Sequence, residues 1–228
     1  RADVKTNFQN SEPPADSELV VLSPGVDINA TFLQNASRAG IEIISEIELA
    51  SRFNTVPIVA VTGTNGKSTC TSLIAEIISQ SGKTVHAGGN LGIPFISLLD
   101  QSDVDYRVLE LSSFQMEATS RLHPLVSVIL NISPDHMDRH KNFKNYIELK
   151  EKVFAQQNRE DFLILNQDDP NTRDMGKDCP AERVLFSTQT ELGNGVFLRG
   201  NMIIARIQNN EQEIISLDEL SKGIRWQV

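Results

Sequence analysis

The segment of this sequence with the most chemistry in it is Gly63-Thr64-Asn65-Gly66-Lys67-Ser68-Thr69. Two glycines let backbone N–H groups turn inward toward phosphate oxygens. A helix starting at Lys67 would add its positive end. Lys67 would reach the β- and γ-phosphates, and Ser68 or Thr69 would supply a hydroxyl to Mg²⁺. The spacing departs from G-x-x-x-x-G-K-[ST], because that register needs glycine at 61, where Val61 stands. The segment therefore reads as a shortened phosphate loop.

Three further groups stand out. Glu110 closes the apolar run Tyr106-Arg107-Val108-Leu109, so it falls at a strand tip, where α/β sheets bind ligands. It could ligate Mg²⁺, but alone it reads as a solvated charge at a strand end; Leu111-Ser112-Ser113-Phe114-Gln115 follows it. Asp135-His136-Met137-Asp138-Arg139-His140 places two carboxylates and two imidazoles in six positions. That set suits a metal or a phosphate as well as it suits a plain polar loop. Lys150 shares a helical stripe with Tyr146, Val153 and Phe154, although pattern alone makes it a snorkelling surface lysine. Cys70 reads as packing, and His86 and His123 as structural.

The elements that must position these groups follow from hydrophobic patterning. Ile58–Val61, Tyr106–Leu111, Val126–Asn131 and Phe162–Asn166 are continuous apolar runs, as in parallel strands covered on both faces. Helices are expected over 67–81, with Leu73, Ile74, Ile77 and Ile78 on one face and Gly82 as the stop, and over 94–99 and 143–156. Residues 84–86 make a further short strand. Upstream, 19–22 and 41–44 read as strands, 23–25 as a turn, 29–39 and 46–53 as helices, and 1–17 as a loop. Beyond Glu182 the pattern changes to short strands at 183–186, 196–198, 202–206 and 213–216, separated by Gly193-Asn194-Gly195 and Gly200-Asn201. The fold class is α/β: a mostly parallel, P-loop ATPase-type sheet over 56–228 with a short β-rich extension, preceded over 1–55 by part of a Rossmann-like domain.

Composition narrows the function. The 228 residues carry a formal net charge of −9, which argues against a nucleic-acid partner. No run approaches the roughly 18 apolar residues that span a bilayer. Cys70 and Cys179 are the only cysteines and give neither a disulfide framework nor metal spacing, so a reducing, cytoplasmic setting is expected.

Taken in order, the 63–69 loop, Glu110-Leu111-Ser112-Ser113-Phe114-Gln115, Asp135–His140 and Lys150 resemble the Mur ligase family, as do Gly89-Asn90-Leu91-Gly92 and Ser23-Pro24-Gly25. The likeness runs from about residue 18 to about residue 223. Its Glu-Leu-Ser-Ser-Phe-Gln run is similar to that of the D-glutamate-adding branch. The resemblance implies ATP and Mg²⁺ as cofactors. It also implies an acyl-phosphate route by which D-glutamate joins UDP-N-acetylmuramoyl-L-alanine during peptidoglycan synthesis. Gly63, Thr64, Asn65, Gly66, Lys67, Ser68 and Thr69 would hold ATP. Ser68 and Glu110 would bind one Mg²⁺, and His136 with a carbamylated Lys150 a second. Asn90, Ser112 and His136 would face the nucleotide-sugar, and Ser23 and Gly25 its UDP half.

The family pattern also implies segments before residue 1 and after 223, including a C-terminal amino-acid-binding domain. The expectation is thus a fragment that binds Mg-ATP weakly, does not complete ligation, and has a docking surface that can support self-association. Two alternatives stand beside it: another P-loop enzyme, or a non-catalytic Mg-ATP-binding module. A GTPase would carry an Asn-Lys-x-Asp motif, which Asn166-Gln167-Asp168-Asp169 is not.

Overall fold

A computed structural model describes residues 12–13, 16–101 and 103–223. Expectations placed on residues 1–11, 14–15 and 224–228 lie outside the described residues.

The first unit is β1 (Leu19–Leu22), α1 (Thr31–Arg38), β2 (Glu42–Ser45) and α2 (Glu46–Phe53), with β1 and β2 paired in parallel as a separate two-stranded sheet. Helix α1 begins two residues later than its periodicity suggests. Asp27 Oδ1 accepts from Asn29 N at 2.9 Å and ties that residue into a side-chain turn.

The main sheet starts with β3 (Ile58–Thr62), followed by α3 (Lys67–Gln80), β4 (Val85–Gly89), α4 (Phe95–Leu98), β5 (Tyr106–Glu110), α5 (Ser113–Met116) and β6 (Val126–Ile129). Then come α6 (Met137–His140), α7 (Phe143–Glu151), a 3₁₀ turn at Lys152–Phe154 that replaces the last turn expected of α7, and β7 (Phe162–Asn166). The chain finishes through β8 (Glu182–Ser187), β9 (Gly195–Arg199), β10 (Met202–Ile207), β11 (Asn210–Ser216) and α8 (Leu217–Gly223). The nine strands lie in the order β11-β10-β9-β8-β7-β6-β3-β5-β4.

Every neighbouring pair from β4 across to β9 is parallel; only β9–β10 and β10–β11 are antiparallel. The extension is therefore continuous with the central sheet. Gly193-Asn194-Gly195 does not close a hairpin, because β8 and β9 on either side of it run the same way. Gly200-Asn201 does join an antiparallel pair. The second reversal is made by Gln208 and Asn209, both at positive φ (52° and 66°), the backbone of a two-residue primed turn.

Alternation along β3 explains how the sheet is covered. All five of its residues are buried. Ile58 and Ala60 face Leu109, Phe95, Met116, Tyr146 and Val153 on one side. Val59 and Val61 face Val108, Val128 and the inner stripe of α3 on the other. That stripe is Cys70, Ile74, Ala75 and Ile78; Leu73 and Ile77 point outward and are 50% and 60% exposed. The 3.6-residue period is thus right for α3, but its buried face is rotated from the one read from the largest side chains.

The two units are joined by apolar packing, with Ile47 and Ala50 of α2 in the same core cluster as Phe95, Leu98 and Met116, and by polar contacts. The fully buried Glu48 of α2 accepts from the backbone amides of Ser120 and Arg121, both at 2.8 Å, and Ser45 Oγ lies 2.6 Å from Thr119 Oγ1. No helix among the described residues is long and apolar enough to cross a membrane.

Candidate functional site

The ends of three adjacent strands, β5, β3 and β6, build the site. The loop after β3 needs its glycines: Gly66 caps α3 at φ 81°, and a Cβ on Gly63 (φ 149°) would crowd Leu130 Cβ and Asn131 O. The loop is pinned from the end of β6. Asn131 Oδ1 accepts from Asn65 N (2.8 Å), its Nδ2 donates to Asn65 O (2.9 Å), and its carbonyl accepts from Thr64 N (2.9 Å). Thr64 Oγ1 exchanges hydrogen bonds with Ser133 O and N (3.1 and 3.0 Å) and lies 3.1 Å from Tyr146 OH.

Two ammonium groups meet beneath this loop. Lys67 Nζ donates to Gly63 O (3.1 Å) and Thr64 O (2.8 Å), while Lys150 Nζ donates to Gly63 O at 2.7 Å. Lys150 is buried and sits 4.6 Å from the centroid of the Tyr146 ring. Burial, and next the neighbouring Lys67 charge, push its pKa down to about 7. The helical stripe put Lys150 on the inward face; its surroundings make it a buried amine instead of a surface lysine. Burial raises the pKa of Cys70, which fits packing and not an activated thiolate.

At the tip of β5, Glu110 is 2% exposed and accepts from Ser68 Oγ at 2.7 Å and from Asn90 Nδ2 at 2.6 Å. A hydroxyl and a carboxylate already in contact at the start of α3 are hard oxygen donors, the kind Mg²⁺ takes when phosphate and water complete its shell. Among the described residues there is no cluster of three or more His, Cys, Asp or Glu side chains that could hold a metal by themselves. The residues present therefore fit a Mg²⁺ held jointly with a nucleotide and do not form an all-protein cage.

The 135–140 segment is divided by its own helix. His136 begins α6 in the left-handed region (φ 53°), is half exposed, packs 5.0 Å from the Phe114 ring and lies 3.5 Å from Asp135. His140 is buried: its Nε2 lies 3.0 Å from Ser113 Oγ, and it stacks on Phe114. Desolvation lowers its pKa. The two imidazoles thus face different surroundings and do not form the joint ligand set that their spacing allowed. His123, read as structural, sits 2.6 Å from Asp161.

Ser112 caps α5, with its hydroxyl engaged by Gln115. Ser23 and Gly25 line a narrow crevice whose other wall is Phe114, Gln115 and Glu117. Sequence reasoning gave no individual role to Asn131 or Tyr146, which lock the phosphate loop. For Asn131 the available signal was a polar residue just after an apolar strand, the same signal that exposed Glu110; Tyr146, inside α7, had none.

Residues 61–223 match the Mur ligase middle domain. The chain is similar to UDP-N-acetylmuramoylalanine--D-glutamate ligase of Alkaliphilus metalliredigens (43% identical, covering 89% of this chain and 45% of that protein). It is similar also to the ligase of the same name from Geobacter metallireducens (46%, covering 87% and 44%). It spans just under half the length of these relatives. Among solved structures, UDP-N-acetylmuramoyl-L-alanyl-D-glutamate--2,6-diaminopimelate ligase superposes with a TM-score of 0.60 at 20% identity, covering 87% of this chain and 52% of that one. MurF ligase from Thermotoga maritima, in complex with ADP, gives 0.53 at 17%, covering 87% and 55%. At those identities the likeness speaks for the fold, a mostly parallel α/β sheet. With the family model covering most of its length, the chain belongs to the Mur ligase family.

Proposed function

We propose that this chain is the nucleotide-handling part of an ATP-dependent ligase that joins D-glutamate to UDP-N-acetylmuramoyl-L-alanine. The observation that carries the reading is the contact between Ser68 Oγ and Glu110 Oε2 at the mouth of a phosphate loop that Lys67 and Asn131 hold in shape. The names of the relatives supply the substrates.

In this reading the amides of Gly63 to Thr69 and the Lys67 ammonium take the ATP phosphates. Ser68 and Glu110 hold Mg²⁺, with Asn90 fixing the carboxylate's rotamer. Bound Mg²⁺ would offset charge developing on the γ-phosphoryl oxygens. That phosphoryl group passes to the substrate carboxylate, the amine of D-glutamate attacks the acyl carbon, phosphate leaves, and an amide forms. The neutral amine of Lys150 could add CO2 and release a proton, and the resulting carbamate would join His136 in holding a second metal. Ser23, Gly25, Asn90, Ser112 and His136 face the nucleotide-sugar. Residues 1–55 act as part of the nucleotide-sugar domain and 56–228 as the ATP domain.

Titration calorimetry with Mg-ATP, paired with a phosphate-release assay, tests the proposal. Saturable Mg-ATP binding, and release that needs both nucleotide-sugar and D-glutamate, are expected of the ligase. Saturable binding with no such release would leave a nucleotide-binding module. Release with neither co-substrate would point to a different P-loop enzyme, and failure to bind Mg-ATP would overturn both readings.

A further inference from the structure

Arg139 lies three residues beyond His136 and joins segments that are distant in sequence. Its guanidinium donates to Val26 O at 2.7 Å and lies 3.3 Å from Asp27 Oδ1, both on the loop that follows the Ser23–Gly25 turn. The same group forks onto Glu117, with Nη2 to Oε2 at 2.7 Å and Nε to Oε1 at 3.3 Å, and packs 5.9 Å from the Phe114 ring. Asp27 is itself fixed by the backbone and side-chain amides of Asn29 (2.9 and 3.1 Å). The side chain of Arg139 is only 19% exposed.

The other polar ties between the two units described above, Glu48 and Ser45, sit at the β2–α2 end. Arg139 ties them at a second point, through Val26 and Glu117, which both line the crevice between the Ser23–Gly25 turn and Phe114. A planar, forked cation is suited to holding a carboxylate on one side and a carbonyl on the other at once; a lysine ammonium is a point charge without the fork.

We propose that Arg139 is a positioning residue that clamps the Ser23–Gly25 turn against the α5 end and so sets affinity for the nucleotide-sugar while leaving ATP affinity alone. This rests on the reading of the Ser23–Gly25 turn as a nucleotide-sugar contact. Asp27 is its lesser partner, because Val26 offers a backbone carbonyl that no side-chain change removes.

The test uses the full chain, with separate calorimetric titrations of UDP-N-acetylmuramoyl-L-alanine and Mg-ATP for wild type, Arg139→Ala, Arg139→Lys and Asp27→Asn. Arg139→Ala should weaken nucleotide-sugar binding about tenfold, the scale of a lost charged hydrogen bond. Arg139→Lys should recover only part of that, Asp27→Asn should lose about threefold, and all three should bind Mg-ATP as wild type does. Hydrogen exchange at 23–28 should speed up in both Arg139 variants. Equal weakening of both ligands, full rescue by lysine, or unchanged nucleotide-sugar affinity would overturn the clamp. If Arg139→Ala does not fold, Arg139→Lys and Asp27→Asn still decide by the same split. Wild type binding Mg-ATP but not the nucleotide-sugar would overturn the clamp and the substrate reading together, whereas the variant outcomes bear on the clamp alone.

Discussion

The phosphate loop and the His136–Lys141 turn lie at the same edge of the sheet, and they are held in opposite ways. In the loop the side chains are held by partners: Lys67 on Gly63 and Thr64, Ser68 on Glu110, Glu110 on Asn90, and the backbone of Thr64 and Asn65 on Asn131. The turn has two non-glycine residues at positive φ, His136 at 53° and Lys141 at 66°, and a half-exposed imidazole. Backbone in that region costs about 1–2 kcal/mol per residue and persists where the surroundings dictate it. The first region is organised by satisfied hydrogen bonds; the second stores strain to aim a side chain.

Substitutions at four positions sharpen or break this contrast. The largest effect is expected at Lys67→Ala, which should weaken Mg-ATP binding by about 100-fold or more by calorimetry, since it removes the ammonium carried by the loop itself; a change of under threefold would mean the loop does not grip ATP. Asn131→Ala takes the side-chain partner from the exposed Asn65 amide and carbonyl, so melting should report a loss of roughly 0.5–1.5 kcal/mol and ATP should bind several-fold weaker. An unchanged melt would show the loop to be self-supporting.

His140 supplies a pH test. Its folded pKa lies below the ordinary histidine value because burial disfavours the charged form. The unfolded chain therefore takes up the proton first, and stability falls as pH drops from the unfolded value near 6.5 toward the folded one. His140→Phe should flatten that part of the stability curve, and a slope identical to wild type would remove His140 as its source.

The smallest effect is expected at the turn. His136→Ala keeps the αL backbone cost, whereas His136→Gly relieves it, so the alanine variant should be less stable than the glycine variant by about 0.5–1 kcal/mol in denaturant melts. The usual helix order, alanine above glycine, would mean the turn is unstrained.

What could be read from the chain before any coordinates followed from how local each signal is. Strands buried on both faces declare themselves as apolar runs, and β3, β5 and β7 lie where those runs fall. Glu110 and the 63–69 loop are legible because a polar residue at the end of an apolar run marks a strand tip. Non-local facts are not. The inward face of α3 depends on which side of the sheet it covers, so Leu73 and Ile77 mislead. β4 extends to Gly89 because neighbouring backbone approaches the two glycines, not because of strand propensity. The Gln208-Asn209 turn lacks the glycine that would flag it. The parallel joining of β8 to β9 is set by pairing register, and the division of labour between His136 and His140 by the short helix between them.

Glu48 has a consequence for how the molecule comes apart. Two paired strands cannot support themselves in water, and this pair is tethered through α2, whose Ile47 and Ala50 lie in the main core and whose buried Glu48 accepts from two backbone amides on the far side of the junction. Peeling the first unit away would expose that core and strip the carboxylate of both amides, leaving it only Arg52 of its own helix. Heat should therefore melt both sheets in one cooperative transition, and Glu48→Gln should lower its midpoint without splitting it.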